Sequence, residues 1–130
     1  MVSNKILLFC ADASITHVLT SSLTESDYLV VNAKHGVGAL DIIHAEKPAL
    51  IILDIELPGM NSLAIIRSLR SEEVNGRTPV ILMGANLRED DALIGLEVGA
   101  DLCLLEAFHP QVFIARVRSL IRRTEPSKVF

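Results

Sequence analysis

Several features that the sequence lacks exclude whole classes of protein. The chain of 130 residues carries a formal net charge of -4 at pH 7, so it has no basic excess of the kind that a domain needs to bind nucleic acid by itself. Its longest apolar runs, such as residues 6–11, are about six residues long, whereas a membrane helix needs about 20. The N-terminus also lacks the apolar segment of a signal peptide. We therefore expect a cytoplasmic protein without membrane contact.

Cysteine is scarce as well, because the chain has only Cys10 and Cys103. The reducing conditions of the cytosol disfavour a disulfide between them. The sequence has no internal repeat and no low-complexity segment, and its four histidines have no spacing that suggests a metal site. With 50% hydrophobic residues, the chain is expected to form one domain with its own core.

The most informative stretch runs from residue 49 to residue 60. Five consecutive apolar residues are followed by Asp54 and then by the Pro58-Gly59 turn signal. This pattern predicts a strand that is buried on both faces and ends at a carboxylate. The sequence therefore places Asp54 at the edge of a sheet.

Short apolar runs alternate with helical patterns along the rest of the chain. Asp12 or Ser14 is expected to cap the first helix, and Asn61 the third. Asn86 with Glu89 resembles a capping box for a fourth helix that ends at Gly99. The predicted strands are residues 6–10, 28–31, 50–54, 80–83 and 102–105.

The last helix is predicted to begin at Pro110, and helical spacing indicates which of its residues face the core. This spacing directs Val112, Phe113, Ala115, Val117, Leu120 and Ile121 toward the core.

Residues 1–123 form the predicted domain, and residues 124–130 form a tail or the start of a linker. Strands that alternate with helices in this way predict an α/β, doubly wound parallel sheet whose functional edge lies beyond the carboxyl ends of the strands.

Three motifs carry a resemblance to a known family. They are residues 50–61, which contain the buried strand and its Pro-Gly turn, residues 78–82, and residues 95–101. Together they resemble the CheY-like receiver domain of two-component response regulators, which is a signalling domain and not an enzyme. The resemblance implies a flavodoxin-like (βα)5 fold with strand order 2-1-3-4-5. This order separates Cys10 from Cys103 by three strands, or roughly 14 Å, which is too far for a disulfide.

Receivers hold Mg²⁺ with an acidic pair after the first strand and with the phosphoacceptor aspartate, which maps to Asp54. Here the acidic pair maps to Cys10 and Ala11, and a carboxylate appears only one residue later, at Asp12. Most of the hard oxygen ligands that Mg²⁺ prefers are therefore missing. We expect no Mg²⁺ and no other cofactor.

Three further functional positions of the family are also replaced. In the family, a hydroxyl residue after the fourth strand contacts the phosphoryl group, and this position maps to Gly84. The family's lysine after the fifth strand maps to Glu106. The aromatic residue that moves on activation maps to Cys103. At about 4 Å, exchanging a lysine for a glutamate turns an attraction of roughly 4 kcal/mol into a repulsion. The chain therefore resembles an atypical receiver, or pseudo-receiver, with a vestigial Asp54.

Other interpretations of these residues remain open. Asp54 could cap a neighbouring backbone group or pair with a cation such as Arg88. Asp12, Asp54 and Glu106 could together form a different cation site. Cys10 could be a redox-sensing thiol. However, the sequence supplies no neighbouring cation, and Asp54 would raise the pKa of the thiol. A buried, unreactive cysteine is therefore the simpler expectation.

The last helix resembles that of receivers in the OmpR/PhoB class of winged-helix transcription factors. This resemblance implies a homodimer through helix 4, strand 5 and helix 5, held by opposite charges. The alternative is a set of solvated helix faces or weak intramolecular pairs. The candidate interface residues are Arg88, Asp91, Glu97, Asp101, Arg116 and Arg118.

An enzyme of flavodoxin-like fold is disfavoured, because the sequence has no nucleophile-base pair and no Gly-rich phosphate loop. Three other functional hypotheses remain. The preferred one is an atypical receiver of a transcription regulator that works largely without aspartyl phosphorylation, through homodimerisation or by binding a protein or small ligand. DNA would then be bound only by a C-terminal domain outside this chain. The alternatives are a conventional phosphoacceptor receiver with relaxed chemistry at Asp54 and a stand-alone pseudo-receiver that serves as an adaptor.

Overall fold

The computed structural model describes residues 4–73, 76–104 and 109–124. Within these ranges, five strands alternate with five helices. The strands are β1 (Lys5–Phe9), β2 (Leu29–Ala33), β3 (Leu50–Asp54), β4 (Val80–Met83) and β5 (Leu102–Leu104). The helices are α1 (Ala13–Glu25), α2 (Ala39–Glu46), α3 (Ser62–Arg70), α4 (Glu89–Val98) and α5 (Pro110–Thr124).

The strands form one parallel sheet in the order β2-β1-β3-β4-β5, as the resemblance implied. Every residue of the central strand β3 is buried. Its register pairs Leu53 with Phe9 of β1 and Asp54 with Met83 of β4. The residues that follow β1 and β4 are therefore the immediate neighbours of Asp54.

The sheet separates two hydrophobic cores, because successive strand residues point to opposite faces. Leu8 and Ile52 belong to the core under α1 and α5. Leu7 and Leu53 belong to the core on the other face, which includes residues of α2 and α3. The predicted alternation of strands and helices is thus realised as two helical layers around a sheet. None of the described helices is long and apolar enough to cross a membrane.

Helix α5 follows the predicted pattern except at three positions. Val112 is 51% exposed and Ala115 is also exposed, whereas Ile114 is buried. The buried positions 113, 114, 117, 120 and 121 have helical spacing, so the helix is rotated slightly from the orientation predicted. Thr124 belongs to α5 and not to the tail. Residues 125–130 and Leu105 lie outside the described residues.

The helix caps were predicted correctly at two helices and wrongly at one. Asp12 accepts a hydrogen bond from the Ile15 backbone N–H at 2.9 Å, and Asn61 accepts one from Ala64 at 3.1 Å. Helix α4 has Arg88 as its N-cap instead of Asn86. Three acidic residues in its first turn favour this later start, because they are attracted to the positive end of the helix dipole.

An arginine network joins the end of α3 to the start of β5. Arg70 donates hydrogen bonds to the backbone oxygens of Gly99, Gly76 and Thr78, at 2.9, 3.2 and 2.7 Å. It also forms a 2.8 Å ion pair with Asp101, whose carboxylate accepts a second hydrogen bond from the Val80 backbone N–H. This network fixes the amino-terminal edges of β4 and β5, opposite the edge that carries Asp54.

Candidate functional site

Asp54 is the last residue of β3 and only 8% exposed. Its Oδ1 accepts a hydrogen bond from the Glu56 backbone N–H at 2.9 Å. Its backbone oxygen accepts one from the hydroxyl of the buried Ser62 at 3.0 Å. The Asp54 carboxylate therefore caps the turn that follows β3, which is one of the interpretations left open by the sequence. Among the described residues, Asp54 has no salt bridge, to Arg88 or to any other cation.

Cys10 follows β1 and is fully buried. Its thiol lies 3.9 Å from Asp54 Oδ2 and 3.8 Å from the Asp12 backbone oxygen. Its backbone N–H donates to Ala33 at 3.0 Å, and its backbone oxygen accepts from Thr16 and Asn32 at 3.4 Å each. Cys10 is thus held from several sides directly beside Asp54.

The remaining donors beside Asp54 do not fit a Mg²⁺ ion. Cys10 supplies a soft sulfur ligand in place of a carboxylate, and Ala11 has no donor side chain. The Asp12 carboxylate is used to cap α1. In the ranges that the structure describes, no three His, Cys, Asp or Glu side chains are grouped to hold a metal ion. The hypothetical site of Asp12, Asp54 and Glu106 also depends on Glu106, which lies outside these ranges.

Burial controls the ionisation of the two central groups. Desolvation raises the pKa of Asp54 above its usual value, and the negative charges of Glu56 and Asp12 raise it further, against the lowering effect of the Glu56 backbone hydrogen bond. Desolvation likewise raises the pKa of the Cys10 thiol, and the charges of Asp54 and Asp12 add to this effect. A raised pKa keeps the thiol protonated, which argues against a reactive thiolate.

Gly84 follows β4 on the other side of Asp54. A Cβ atom at this position would lie 2.7 Å from Ile55 Cγ2 and 3.7 Å from Asp54 Oδ1. A side chain at residue 84 would therefore reach Asp54, but Ile55 already occupies part of the space that it needs. Residue 84 therefore offers no hydroxyl to Asp54, and the Ile55 side chain closes part of the space beside it.

Glu56 is a site residue that the sequence analysis missed. Its backbone N–H binds the Asp54 carboxylate, and its own Oε1 accepts a hydrogen bond from the Asn86 backbone N–H at 3.0 Å. The signal that could have identified it is its position two residues after Asp54, in the turn beyond the strand. Asn86, which was predicted as a helix cap, contributes its backbone instead.

Cys103 lies in β5, half-buried against α4. Its thiol donates to the Ala92 backbone oxygen at 3.6 Å, and burial raises its pKa. A Cβ at Gly95 would lie 3.5 Å from this sulfur and 2.6 Å from Leu82 Cδ2. Small groups at 95 and 103 thus allow α4 to approach the sheet closely. Both cysteines are free, as expected.

Two of the six interface candidates use their side chains in contacts within the chain. Asp91 accepts a hydrogen bond from the Arg88 backbone N–H at 3.3 Å, and Asp101 is paired with Arg70. The side chains of Glu97, Arg116 and Arg118 are exposed. Arg116 lines a groove of about 90 Å³ together with Asp101, Leu102, Ser119, Leu120 and Arg123.

Helix α4 also exposes apolar side chains. Its only fully buried residue is Gly95. Leu93, Ile94 and Leu96 are 59%, 43% and 50% exposed, which is unusual for three large apolar residues on one short helix. An interface that covers this helix would bury them.

Comparison with known proteins gives concordant matches over most of the chain. The family model for the response regulator receiver domain matches residues 7–118. The phosphate regulon transcriptional regulatory protein PhoB of Pseudomonas aeruginosa is 34% identical over 126 residues, which cover 97% of this chain and 55% of that protein. The alkaline phosphatase synthesis transcriptional regulatory protein PhoP of Bacillus subtilis is 35% identical over 124 residues, which cover 95% and 51%.

A solved structure agrees with these sequence matches. The BeF3-activated N-terminal receiver domain of Klebsiella pneumoniae RstA is 30% identical, with a TM-score of 0.82, and the match covers 91% of this chain and 98% of that one. The chain spans about half the length of the curated relatives that it matches.

Proposed function

This chain belongs to the response regulator receiver domain family, and we propose that it is an atypical member that signals without phosphorylation of Asp54. The resemblance stated from the sequence is confirmed at the level of the family and of similarity to PhoB. We further propose that the domain serves a transcription regulator, that it acts through homodimerisation or a protein or small-ligand partner, and that DNA is bound by an output domain outside this chain.

The environment of Asp54 is the observation that supports a phosphate-independent mechanism. Its two carboxylate oxygens face the Glu56 backbone N–H and the Cys10 thiol. Phosphoryl transfer to an aspartate depends on positioned cations, because negative charge accumulates on the transferred group. The described neighbours of Asp54 provide carboxylates and a thiol in place of such cations.

The position of Gly84 provides separate support. A phosphoryl group on Asp54 would find no hydroxyl at residue 84, and the methyl group of Ile55 fills the space beside it. The contact that would report phosphorylation to the start of α4 is therefore missing even if phosphorylation occurred. In the part of the chain that the structure describes, the site thus lacks both the cations that phosphorylation of Asp54 requires and the hydroxyl that would contact the phosphoryl group.

The test is incubation with acetyl phosphate and Mg²⁺, followed by intact-mass spectrometry. We expect no change in mass, for the wild-type chain and for Asp54→Ala alike. A receiver that retains the acidic pair, the hydroxyl residue and the lysine serves as the positive control. A stoichiometric gain of one phosphoryl group that disappears in Asp54→Ala would show that the conventional alternative is correct.

The proposed homodimer is supported by the surface of α4 and α5. Exposed arginines on α5 and an exposed glutamate on α4 provide opposite charges, and three apolar side chains on α4 are open to solvent. A two-fold interface requires such a self-complementary surface. Asp101 contributes less than expected, because its carboxylate is already bound to Arg70.

A further inference from the structure

The turn after β3 is attached to the loop after β4 by consecutive residues. The Ile55 backbone N–H donates to the Met83 backbone oxygen at 2.8 Å, and the Ile55 side chain fills the space next to Gly84. The next residue, Glu56, places its Oε1 3.0 Å from the Asn86 backbone nitrogen. We call this set of contacts the 55–56 clasp.

The turn that carries the clasp also binds Asp54. The Glu56 backbone N–H donates to Asp54 Oδ1, so one residue binds the Asp54 carboxylate through its main chain and the β4–α4 loop through its side chain. The loop itself is a short turn, with the Leu87 N–H donating to the Gly84 backbone oxygen at 3.2 Å. The Leu87 side chain is buried, and α4 begins two residues later. A displacement of Asn86 would therefore move the residues at the start of α4 as well.

We infer that Glu56 is a positioning residue that holds the β4–α4 loop against the Asp54 site, with its carboxylate on the Asn86 N–H in place of a phosphoryl group. A carboxylate and a phosphoryl group both present anionic oxygens to a backbone N–H. The difference is that the glutamate is permanently attached. This inference rests on the proposed function, because it gives a receiver that lacks phosphorylation its connection between Asp54 and α4.

The chemistry of the neighbouring positions agrees with this role. Residue 84 has no side chain with which to bind the Asp54 side of the site, and the hydrogen bonds from the turn after β3 go to backbone groups, the Met83 oxygen and the Asn86 N–H. Glu56 is exposed, and its side chain is free of any role in the cores. Its removal should loosen the loop without unfolding the domain.

The test compares amide hydrogen exchange at Asn86 in the wild-type chain, Glu56→Ala, Glu56→Gln and the control Glu25→Ala, without any phosphodonor. We expect exchange at Asn86 to be about two- to tenfold faster in Glu56→Ala, because one hydrogen bond of ordinary strength is lost. Glu56→Gln keeps an acceptor oxygen and should recover part of the protection. Glu25 is exposed on α1, so its removal should leave Asn86 unchanged.

A second measurement separates a local effect from a general loss of stability. The Tm of Glu56→Ala should fall by no more than about 5 °C, as expected for one lost hydrogen bond, while the amide signals of residues 86–91 shift. Unchanged exchange at Asn86 in Glu56→Ala would overturn the inference, as would an equal increase in exchange throughout the sheet. The phosphodonor test reads a different quantity, so failure of the proposed function and failure of the clasp are distinguishable.

Discussion

The thiol of Cys10 lies 3.9 Å from Oδ2 of Asp54, and the two side chains are buried together at the carboxyl edge of the sheet. A carboxylate in this position would normally require a cation, since burying a charge without a partner is costly. A thiol is only a weak donor and offers little compensation. The structure thus leaves Asp54 in surroundings that favour its neutral form.

The first prediction concerns pH and Asp54. Because burial raises the pKa of Asp54 in the folded protein, the folded state binds its proton more tightly than the unfolded chain. Its contribution to stability is therefore fully present below the unfolded pKa and is lost as the pH rises through the folded pKa. Asp54→Asn removes the charge and keeps an acceptor for the Glu56 N–H. We expect its Tm to exceed that of the wild type by a few degrees at about pH 7, and this difference to vanish near about pH 3.5.

Thermal unfolding followed by circular dichroism at both pH values provides the measurement. Asp101→Asn is the matched control, because its carboxylate is paired with Arg70 and accepts a hydrogen bond from the Val80 backbone N–H. That substitution should lower the Tm at about pH 7. A lower Tm for Asp54→Asn at neutral pH would mean that the charged carboxylate is stabilising.

Much of the fold could be predicted because its determinants are local. The apolar run before Asp54 identified β3, and Asp12 and Asn61 identified the starts of two helices, because each uses a side chain only three residues from its partner. The order of the strands came from the family resemblance instead. The resemblance also placed Cys10 near Asp54, but neither route gave the distant partners of Arg70 and Glu56.

The side-chain contacts of Arg70 and Glu56 could not be predicted from the sequence. The Arg70 guanidinium binds residues 6 to 31 positions away, and the Glu56 carboxylate binds Asn86. No sequence period links such partners, because they meet only when the loops at a sheet edge come together. The wrong cap at Asn86 has the same origin, since its backbone is engaged by Glu56 and the helix starts later, at an acidic first turn.

The second prediction concerns the Arg70 network. Arg70→Ala removes the donor from three backbone oxygens and the cation from the Asp101 carboxylate, which keeps only its Val80 hydrogen bond, so the free energy of unfolding should fall by about 2–4 kcal/mol. Arg70→Lys keeps the charge but cannot reproduce the planar fork, so it should recover only part of the loss. Urea denaturation measures both. Arg67→Ala, on an exposed position of the same helix, should change the value by no more than about 0.5 kcal/mol.

The third prediction concerns the contact between Gly84 and Ile55. Gly84→Ala places a methyl group 2.7 Å from Ile55 Cγ2, which should cost about 1–3 kcal/mol of stability. Ile55→Ala removes that atom, so the double variant should be more stable than the sum of the two single changes by about 1 kcal/mol. Denaturation of all four proteins completes the cycle. Additive effects would show that the two positions do not compete for space.

The fourth prediction concerns the thiols. Cys10 is fully buried and Cys103 is only half-buried, and burial raises the pKa of both. In the folded protein at about pH 7, iodoacetamide should therefore modify Cys103 first, with Cys10 at least about tenfold slower. Mass spectrometry of Cys10→Ser and Cys103→Ser assigns each rate. Faster modification of Cys10 would support the redox-sensing hypothesis in place of a buried, inert thiol.

The last prediction concerns self-association. Arg116 is exposed on α5, beside the groove that contains the paired Asp101, and Glu97 is exposed on α4. If two copies meet through α4, β5 and α5, Arg116→Glu introduces like charges across the two-fold axis and should raise the dimer dissociation constant by on the order of tenfold. Sedimentation velocity over a range of concentrations and at two salt concentrations measures this, since added salt should reduce the difference. Arg67→Glu makes the same charge change on α3 and should leave the equilibrium unchanged. An equal effect of both variants would attribute the change to net charge, and no effect of Arg116→Glu would exclude this surface as the charged interface.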